Sequence, residues 1–152
     1  MTKNEYITKG SIYAVNLGCE RNGSVQSGGK SGFRPCIVMN NKIACLFSPV
    51  LLVVPITSSY GRMKAKMPTH LIINEGLPKK SVAMFEQVLT VNRSQLSEKI
   101  CTLSDELLNQ ANEKLKIAFG LCPEYAWIRK RVFRFSRSTL FLLRVSTTTE
   151  RI

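Results

Sequence analysis

The chain has 152 residues, of which 44% are apolar and 21% are charged, values typical of a soluble protein with one hydrophobic core. The charge balance is unusual, because 22 Lys and Arg residues stand against 10 Asp and Glu, a net charge of +12. This surplus favours an anionic partner, which is a nucleic acid, a membrane surface or an acidic protein. The alternative is a positive charge spread evenly over the surface for solubility.

The cysteines and the first residues argue against several protein classes. Five cysteines, an odd number, are scattered along the chain without a C-x-x-C motif. This argues against a disulfide framework and against a zinc ribbon. The first ten residues lack the apolar segment of a signal peptide, and no run of 18 apolar residues is present. We therefore expect a cytoplasmic protein without a transmembrane segment.

The first part of the chain predicts two strands around a long loop. Apolar runs indicate strands at residues 11–17 and 35–39, the second followed by a turn at residues 40–41. Between them, residues 18–32 hold five of the nine glycines. The stretch GSVQSGGKSGFRP resembles a phosphate-binding P-loop, but its first glycine is out of register and Pro35 prevents the required helix. A loop of this length in a compact domain is often functional.

The next part of the chain predicts three more strands and one helix. The strongest strand is predicted at residues 51–57, where Pro55 indicates an edge or a bulge. After a basic loop at residues 60–67, strands are expected at residues 69–73 and 81–91. Ser104 is the expected N-cap of the helix and Gly120 its end. The helix carries apolar side chains at helical spacing, namely Leu107, Leu108, Ala111, Leu115 and Ala118.

Five short strands followed by a helix predict a mainly β fold, a small barrel or curled sheet that is capped by the helix. After residue 121 the composition changes. The run RKRVFRFSRSTLFLLR, residues 129–144, has six basic residues, three Phe and no acidic residue. Three interpretations of this basic C-terminal extension are open: an arm that binds nucleic acid, a segment that lies on a membrane surface, or a stretch whose structure is not under selection.

The scarcity of His and Asp narrows the chemistry. The chain has one histidine, His70, one aspartate, Asp105, and no cluster at metal-ligand spacing. RNA cleavage is a reaction that needs neither a metal nor a protein nucleophile, because the 2′-OH attacks the adjacent phosphate. The protein then moves protons and stabilises the charge on the phosphorane oxygens, which an arginine and hydroxyl groups can do. Arg34 and the run Thr57-Ser58-Ser59, each at the end of a predicted strand, are candidates for these roles.

A series of short motifs resembles the MazF/PemK family of toxins. The resemblance covers residues 9–121, which we predict to be the toxin domain, with residues 122–152 as the extension. It implies an SH3-like barrel of the MazF/CcdB type with a C-terminal helix. It also implies a type II toxin that acts as a metal-independent, sequence-selective endoribonuclease on single-stranded RNA, without a cofactor. The motifs are Gly10-Ser11-Ile12-Tyr13, Gly23-Ser24-Val25-Gln26, Gly32-Phe33-Arg34-Pro35, Asn40-Asn41, Phe47-Ser48-Pro49, Pro55-Ile56-Thr57, Pro68-Thr69-His70 and Glu86-Gln87.

The resemblance also implies site residues. Arg34 matches the catalytic arginine of the family, which shuttles a proton and stabilises the phosphorane, and Thr57 matches the catalytic threonine, which holds a non-bridging oxygen. Substrate contacts are implied or expected for a larger set: Gln26, Lys30, Ser58, Lys64, Lys66, His70 and Gln87. The chain departs from the family pattern in having Val25 where a Glu is common and extra residues before Arg34. The base preference of the family therefore does not transfer.

Family membership implies several partners besides single-stranded RNA. These are a second copy of the chain in a homodimer, a cognate acidic antitoxin, and operator DNA bound through the toxin–antitoxin complex. The alternative is a non-catalytic SH3-like protein, either a nucleic-acid-binding module or a gyrase poison of the CcdB type. Intact RNA in the presence of a folded protein would favour that alternative.

Overall fold

A computed structural model describes residues 6–18, 32–58 and 67–121. The described part of the chain folds into seven strands and two α-helices. In chain order these are β1 (Ser11–Asn16), β2 (Phe33–Val38), α1 (Lys42–Phe47), β3 (Val50–Thr57), β4 (His70–Ile73), β5 (Ser81–Met84), β6 (Leu89–Asn92), β7 (Leu96–Thr102) and α2 (Asp105–Ala118). Short 3₁₀ turns at Phe85–Gln87 and Arg93–Gln95 flank β6.

All strand pairs in the sheet are antiparallel. The strands follow one another in the order β4-β5-β3-β2-β1-β7, and β6 pairs with β3 next to β5. The helix α2 packs against one face of this sheet, close to β4 and the turn Phe85–Gln87. The mainly β fold with a C-terminal helix is therefore confirmed.

Two hydrophobic clusters lie on opposite faces of the central strands. The first includes Ile37 of β2 and Ile56 of β3, and α2 covers it through Ala111. The second includes Cys36 and Val53, and α1 contributes Cys45 to it. Because successive side chains of a strand point to opposite faces, neighbouring residues such as Cys36 and Ile37 enter different clusters. The central strands are thus buried on both faces.

The number of strands differs from the prediction of five. Residues 81–91 do not form one strand, because the 3₁₀ turn Phe85–Gln87 separates β5 from β6. Because of this turn, β5 pairs with the C-terminal end of β3 and β6 pairs with its N-terminal part. The predicted turn at residues 40–41 precedes a helix that was not predicted, and Asn41 is its N-cap. The edge strand β7, which carries Glu98 and Lys99, lacks the apolar alternation that indicates a strand.

Pro55 lies in the centre of the sheet rather than in an edge strand. It pairs with Cys36 of β2 on one side of β3. On the other side, β6 pairs with Val50–Val53 and β5 pairs with Ile56 and Thr57. Pro55 therefore falls in the interval between these two partners. A residue without a backbone N–H is tolerated here because the ladder on that side is interrupted.

The predicted helix is confirmed at both ends. Ser104 is its N-cap, and its Oγ accepts a hydrogen bond from the backbone N–H of Leu107. At the other end, Gly120 has φ +66°. The N–H groups of Gly120 and Leu121 bond to the carbonyls of Ile117 and Lys116, the arrangement of a Schellman motif. Among the described residues, no helix is long and apolar enough to cross a membrane.

Candidate active site

The two predicted catalytic residues lie on neighbouring strands. Arg34 is the second residue of β2, and Thr57 is the last residue of β3. The antiparallel register pairs Cys36 with Pro55, and continuing it by two residues brings Arg34 level with Thr57. Strand pairing thus brings together a cation and a hydroxyl group that are far apart in the sequence.

A hydrogen bond holds the guanidinium group of Arg34. Its Nε donates to the main-chain carbonyl oxygen of Ile56 at 3.2 Å. The next residue after this carbonyl is Thr57, so the bond keeps the guanidinium beside Thr57. Because the guanidinium is planar and its N–H groups form a fixed fork, fixing one of them sets the directions of the others.

Both side chains belong to the face that carries the second core cluster. Residues two apart on a strand share a face, and residues level with each other on antiparallel strands also share one. Arg34 and Thr57 therefore continue the face of Cys36 and Pro55 at its end. Both are half-buried, whereas Ser58, which directly follows the strand, is exposed. The pair lies where an apolar face meets solvent.

Cys36 is a buried thiol beside this pair. Burial raises the pKa of Cys36 to about 12, while the positive charge of Arg34 acts in the opposite direction. The Sγ atom donates a hydrogen bond of 3.6 Å to the carbonyl oxygen of Arg34. Because the thiol stays protonated at neutral pH, it does not provide the thiolate that cysteine chemistry requires. The polar groups that remain at this position are the Arg34 guanidinium and the hydroxyl groups of Thr57 and Ser58.

His70 belongs to a different group of side chains, at the start of β4. Its Nε2 lies 3.0 Å from Oε1 of Glu86, and Oε2 of the same carboxylate accepts a hydrogen bond of 2.6 Å from Thr69. Burial acts to raise the pKa of Glu86, but hydrogen bonds from Thr69, its own backbone and His70 outweigh it and lower the pKa. The group is therefore built around an ionised carboxylate.

Gln87 lies next to Glu86 in the same 3₁₀ turn. Its Oε1 atom is buried and has no hydrogen-bond partner among the residues that the structure describes. Most buried amide oxygens in proteins have a partner, so this acceptor stands out. Gln26, Lys30, Lys64 and Lys66, the other predicted substrate-binding residues, lie outside the described residues.

The sequence did not point to Glu86 as the carboxylate that binds His70. The two residues are 16 positions apart, and Glu86 falls in a stretch that predicts a strand. The adjacent motifs Pro68-Thr69-His70 and Glu86-Gln87 were the available signal, but nothing in their spacing indicates a contact. Within the ranges described, no three His, Cys, Asp or Glu residues are grouped as metal ligands.

Two relatives of the chain are named endoribonucleases. It is 33% identical over 118 residues to the endoribonuclease EndoA of Bacillus subtilis, covering 76% of this chain and 96% of that protein. It is 34% identical over 117 residues to the endoribonuclease MazF of Staphylococcus saprophyticus, covering 74% of this chain and 91% of that protein.

Solved structures share the fold at lower identity. MazF from Deinococcus radiodurans has a TM-score of 0.60 and 17% identity, over 77% of this chain and 99% of that one. A mycobacterial endoribonuclease in complex with its cognate antitoxin has a TM-score of 0.59 and 17% identity, over 78% and 98%. The family described as PemK-like, MazF-like toxin of type II toxin-antitoxin system matches residues 8–119. The chain therefore belongs to the PemK-like, MazF-like family of toxins of type II toxin–antitoxin systems.

Proposed function

We propose that the protein is a toxin that cuts single-stranded RNA in a sequence-selective and metal-independent reaction. The 2′-oxygen attacks the adjacent phosphorus, the bond to the 5′-oxygen breaks, and a proton passes from the 2′-OH to the leaving 5′-oxygen. The products are a 2′,3′-cyclic phosphate and a 5′-OH end. The names of the relatives and the arrangement of Arg34 and Thr57 support this reaction.

Arg34 has the central role in this proposal. Its guanidinium stabilises the charge that develops on the phosphorane oxygens and takes part in the proton transfer. Such stabilisation is effective when the donors are already oriented before the reaction. The hydrogen bond from Nε to the carbonyl oxygen of Ile56 provides this orientation and is the observation that carries the proposal. The hydroxyl group of Thr57 holds a non-bridging oxygen of the same phosphate.

Further substrate contacts and partners belong to the same proposal. Gln26, Lys30, Ser58, Lys64, Lys66 and Gln87 contact the RNA, whereas His70, the other member of the predicted set, binds Glu86 and supports the site from there. The protein acts as a homodimer, is silenced by an acidic antitoxin, and binds operator DNA as part of the toxin–antitoxin complex. Residues 9–121 form the toxin domain, and residues 122–152 are a separate basic extension. The net charge of +12 favours both the RNA and the acidic antitoxin.

The test is incubation of the purified protein with a long single-stranded RNA in excess chelator, followed by mapping of the RNA ends. The control is Arg34→Ala, with its folding checked by denaturant unfolding. We expect discrete cuts with cyclic-phosphate ends for the wild type and none for the variant. Cleavage that stops on addition of the chelator would contradict the metal-independent mechanism. A fully active Arg34→Ala variant would remove Arg34 from the site.

The alternative is a non-catalytic function of the same fold, as a nucleic-acid-binding module or a gyrase poison. It predicts intact RNA in the same experiment. Toxicity that depends on a particular topoisomerase allele, without RNA cleavage, would support the gyrase poison.

A further inference from the structure

We propose that Glu86 is a positioning residue of the candidate site, which fixes the 3₁₀ turn carrying Gln87 to the start of β4 through Thr69 and His70. In this arrangement His70 is a hydrogen-bond bridge and not a base that takes a proton from RNA. The functional part of this inference rests on the proposed RNA cleavage, whereas the hydrogen-bond arrangement can be tested without it.

The carboxylate of Glu86 binds two adjacent residues at once. Oε2 accepts the hydrogen bond from Thr69 Oγ1 at 2.6 Å, and Oε1 lies 3.0 Å from His70 Nε2. A main-chain bond runs alongside, because the N–H of Phe85 donates to the carbonyl oxygen of Thr69 at 3.2 Å. Three hydrogen bonds thus join residues 69–70 to residues 85–86. Side-chain bonds that involve an ionised carboxylate are stronger than neutral ones.

The partners of the imidazole determine its tautomer. The backbone N–H of Met67 points to Nδ1 of His70 at 3.4 Å, and a backbone N–H can only donate. Nδ1 is therefore the unprotonated nitrogen, so Nε2 carries the hydrogen and donates it to Glu86. Each ring nitrogen of His70 is then engaged in a hydrogen bond.

The position of the group explains why it matters for the site. The side chain of His70 is 9% exposed and that of Glu86 is 26% exposed, so the bond between them is partly shielded from water. Glu86 is followed directly by Gln87, whose buried Oε1 has no partner within the described part of the chain. A turn with an unsatisfied buried acceptor needs other contacts to hold its shape. Glu86 supplies them and holds the turn that carries the amide group of Gln87, which the proposed function assigns to RNA binding.

Two substitutions of His70 separate its two hydrogen bonds. His70→Gln keeps an N–H donor near the position of Nε2 but loses the acceptor for Met67. His70→Asn keeps an acceptor near the position of Nδ1 but loses the donor to Glu86. Neither side chain can exchange a proton near neutral pH. If His70 were a base, both variants would therefore lose activity to the same extent.

The kinetic experiment measures kcat and KM for RNA cleavage by the full-length wild type and its variants. We expect His70→Gln to stay within about threefold of the wild-type kcat/KM. We expect His70→Asn and Glu86→Gln each to lower kcat/KM about tenfold, mainly through a higher KM, because binding by Gln87 is weakened. The double variant His70→Asn/Glu86→Gln should be no worse than either single variant, because both substitutions weaken the hydrogen bond between His70 and Glu86. Loss of kcat in both His70 variants would overturn the inference.

A matched control is Glu113→Gln on α2. Glu113 is an exposed carboxylate that pairs with Lys116 at 2.7 Å, so the chemical change is the same. Its kcat and KM should equal those of the wild type. The free energy of unfolding of each variant, measured in urea, shows that the assays compare folded proteins. An effect of Glu113→Gln as large as that of Glu86→Gln would overturn the positioning role.

Nuclear magnetic resonance of the imidazole nitrogens tests the arrangement without RNA. The chain has one histidine, so ¹⁵N-labelled protein gives a single set of ring signals. We expect the Nε2–H tautomer in the neutral ring of the wild type. Glu86→Gln should keep this tautomer, because Met67 still donates to Nδ1, but its Nε2 signal should shift as the hydrogen bond to residue 86 weakens. The Nδ1–H tautomer in the wild type would contradict the bridge. If the wild type does not cleave RNA, the proposed function and the positioning role are both wrong. The measured tautomer of His70 then still shows whether the imidazole bridges Glu86 and Met67.

Discussion

The side chain of Arg34 reaches from β2 to β3, where its Nε donates a 3.2 Å hydrogen bond to the carbonyl oxygen of Ile56. Through this bond the guanidinium is attached to the residue that directly precedes Thr57. The contact needs the planar fork of arginine, because one N–H binds the backbone while the orientation of the others is set. The same hydrogen bond therefore connects β2 to β3 and orients the guanidinium group.

Arg34→Lys should lower the rate of RNA cleavage while the charge is kept. Lysine has a single ammonium group and cannot both replace the bond to Ile56 and present a planar fork to a phosphate. We expect a loss of about 10- to 100-fold in kcat/KM, which corresponds to roughly 1.4 to 2.7 kcal/mol. Initial rates on a short RNA containing the mapped cleavage site measure this loss. Rates equal to those of the wild type would show that only the charge is required.

The hydroxyl group of Thr57 can be tested with a conservative pair of variants. Thr57→Ser keeps the hydroxyl group, and Thr57→Val keeps the shape of the side chain without it. We expect Thr57→Ser to retain most of the activity and Thr57→Val to lose about 100- to 1,000-fold, the effect of removing one donor to a developing oxyanion. Single-turnover cleavage rates compare the two variants. Equal rates would show that Thr57 acts only through packing against β5.

The contribution of Glu86 to stability should depend on pH. Its pKa is lower in the folded protein than the usual value, because the hydrogen bonds from Thr69, the backbone and His70 outweigh the effect of burial. A carboxyl group with a lowered folded pKa stabilises the protein above its unfolded pKa, near 4.3, and this contribution is lost as the pH falls through the folded pKa. The wild type should therefore exceed Glu86→Gln in free energy of unfolding at pH 7.

The measurement is urea unfolding of both proteins at pH 7 and at successively lower pH down to about 3. The difference between them should shrink as the pH falls below about 4.3. Other carboxyl groups are common to both proteins and cancel in the difference. A difference that stays constant over this range would show that Glu86 contributes through packing alone.

Alanine substitutions at two glycines separate the loss of stability caused by a steric clash from the loss caused by a left-handed backbone. Gly76 and Gly120 have similar positive φ angles, +70° and +66°. An added Cβ at Gly76 would lie 2.8 Å from Cys101 Sγ, whereas at Gly120 nothing lies within 4 Å. Gly120→Ala should cost about 1 kcal/mol for its left-handed backbone, and Gly76→Ala should cost more. Urea unfolding gives both values, and equal costs would show that Cys101 moves aside freely.

Some features followed from the sequence because they depend on local patterns. The apolar runs at residues 11–17, 35–39 and 51–57 predicted three strands that the structure confirms, with shifts of one or two residues. Ser104 and Gly120 marked the ends of α2 correctly, because caps act within a few residues of the helix end. The ordered motifs identified the family. In each case the information lies within a short window of the chain.

Other features depend on contacts between distant residues and were not visible in the sequence. The turn Phe85–Gln87 lies in an apolar stretch whose sequence also suits a strand. The stretch is divided there because β5, before the turn, and β6, after it, pair with different parts of β3. The short helix α1 is held by Arg93, whose Nε donates to Ser48 O at 2.7 Å from 45 residues away. No local pattern of residues encodes such a contact.

The sequence by itself determined the mainly β class, the helix with its caps, the family and the choice of Arg34 and Thr57. Tertiary structure alone decided that the Arg34 guanidinium binds the carbonyl group that precedes Thr57 and that Glu86 binds His70. The physical reason is that strand register is set by packing over the whole sheet, where one face must be buried throughout. The side chains of His70 and Glu86, 16 residues apart, and the Arg34 guanidinium and Ile56 carbonyl, 22 residues apart, then meet only after that register is chosen.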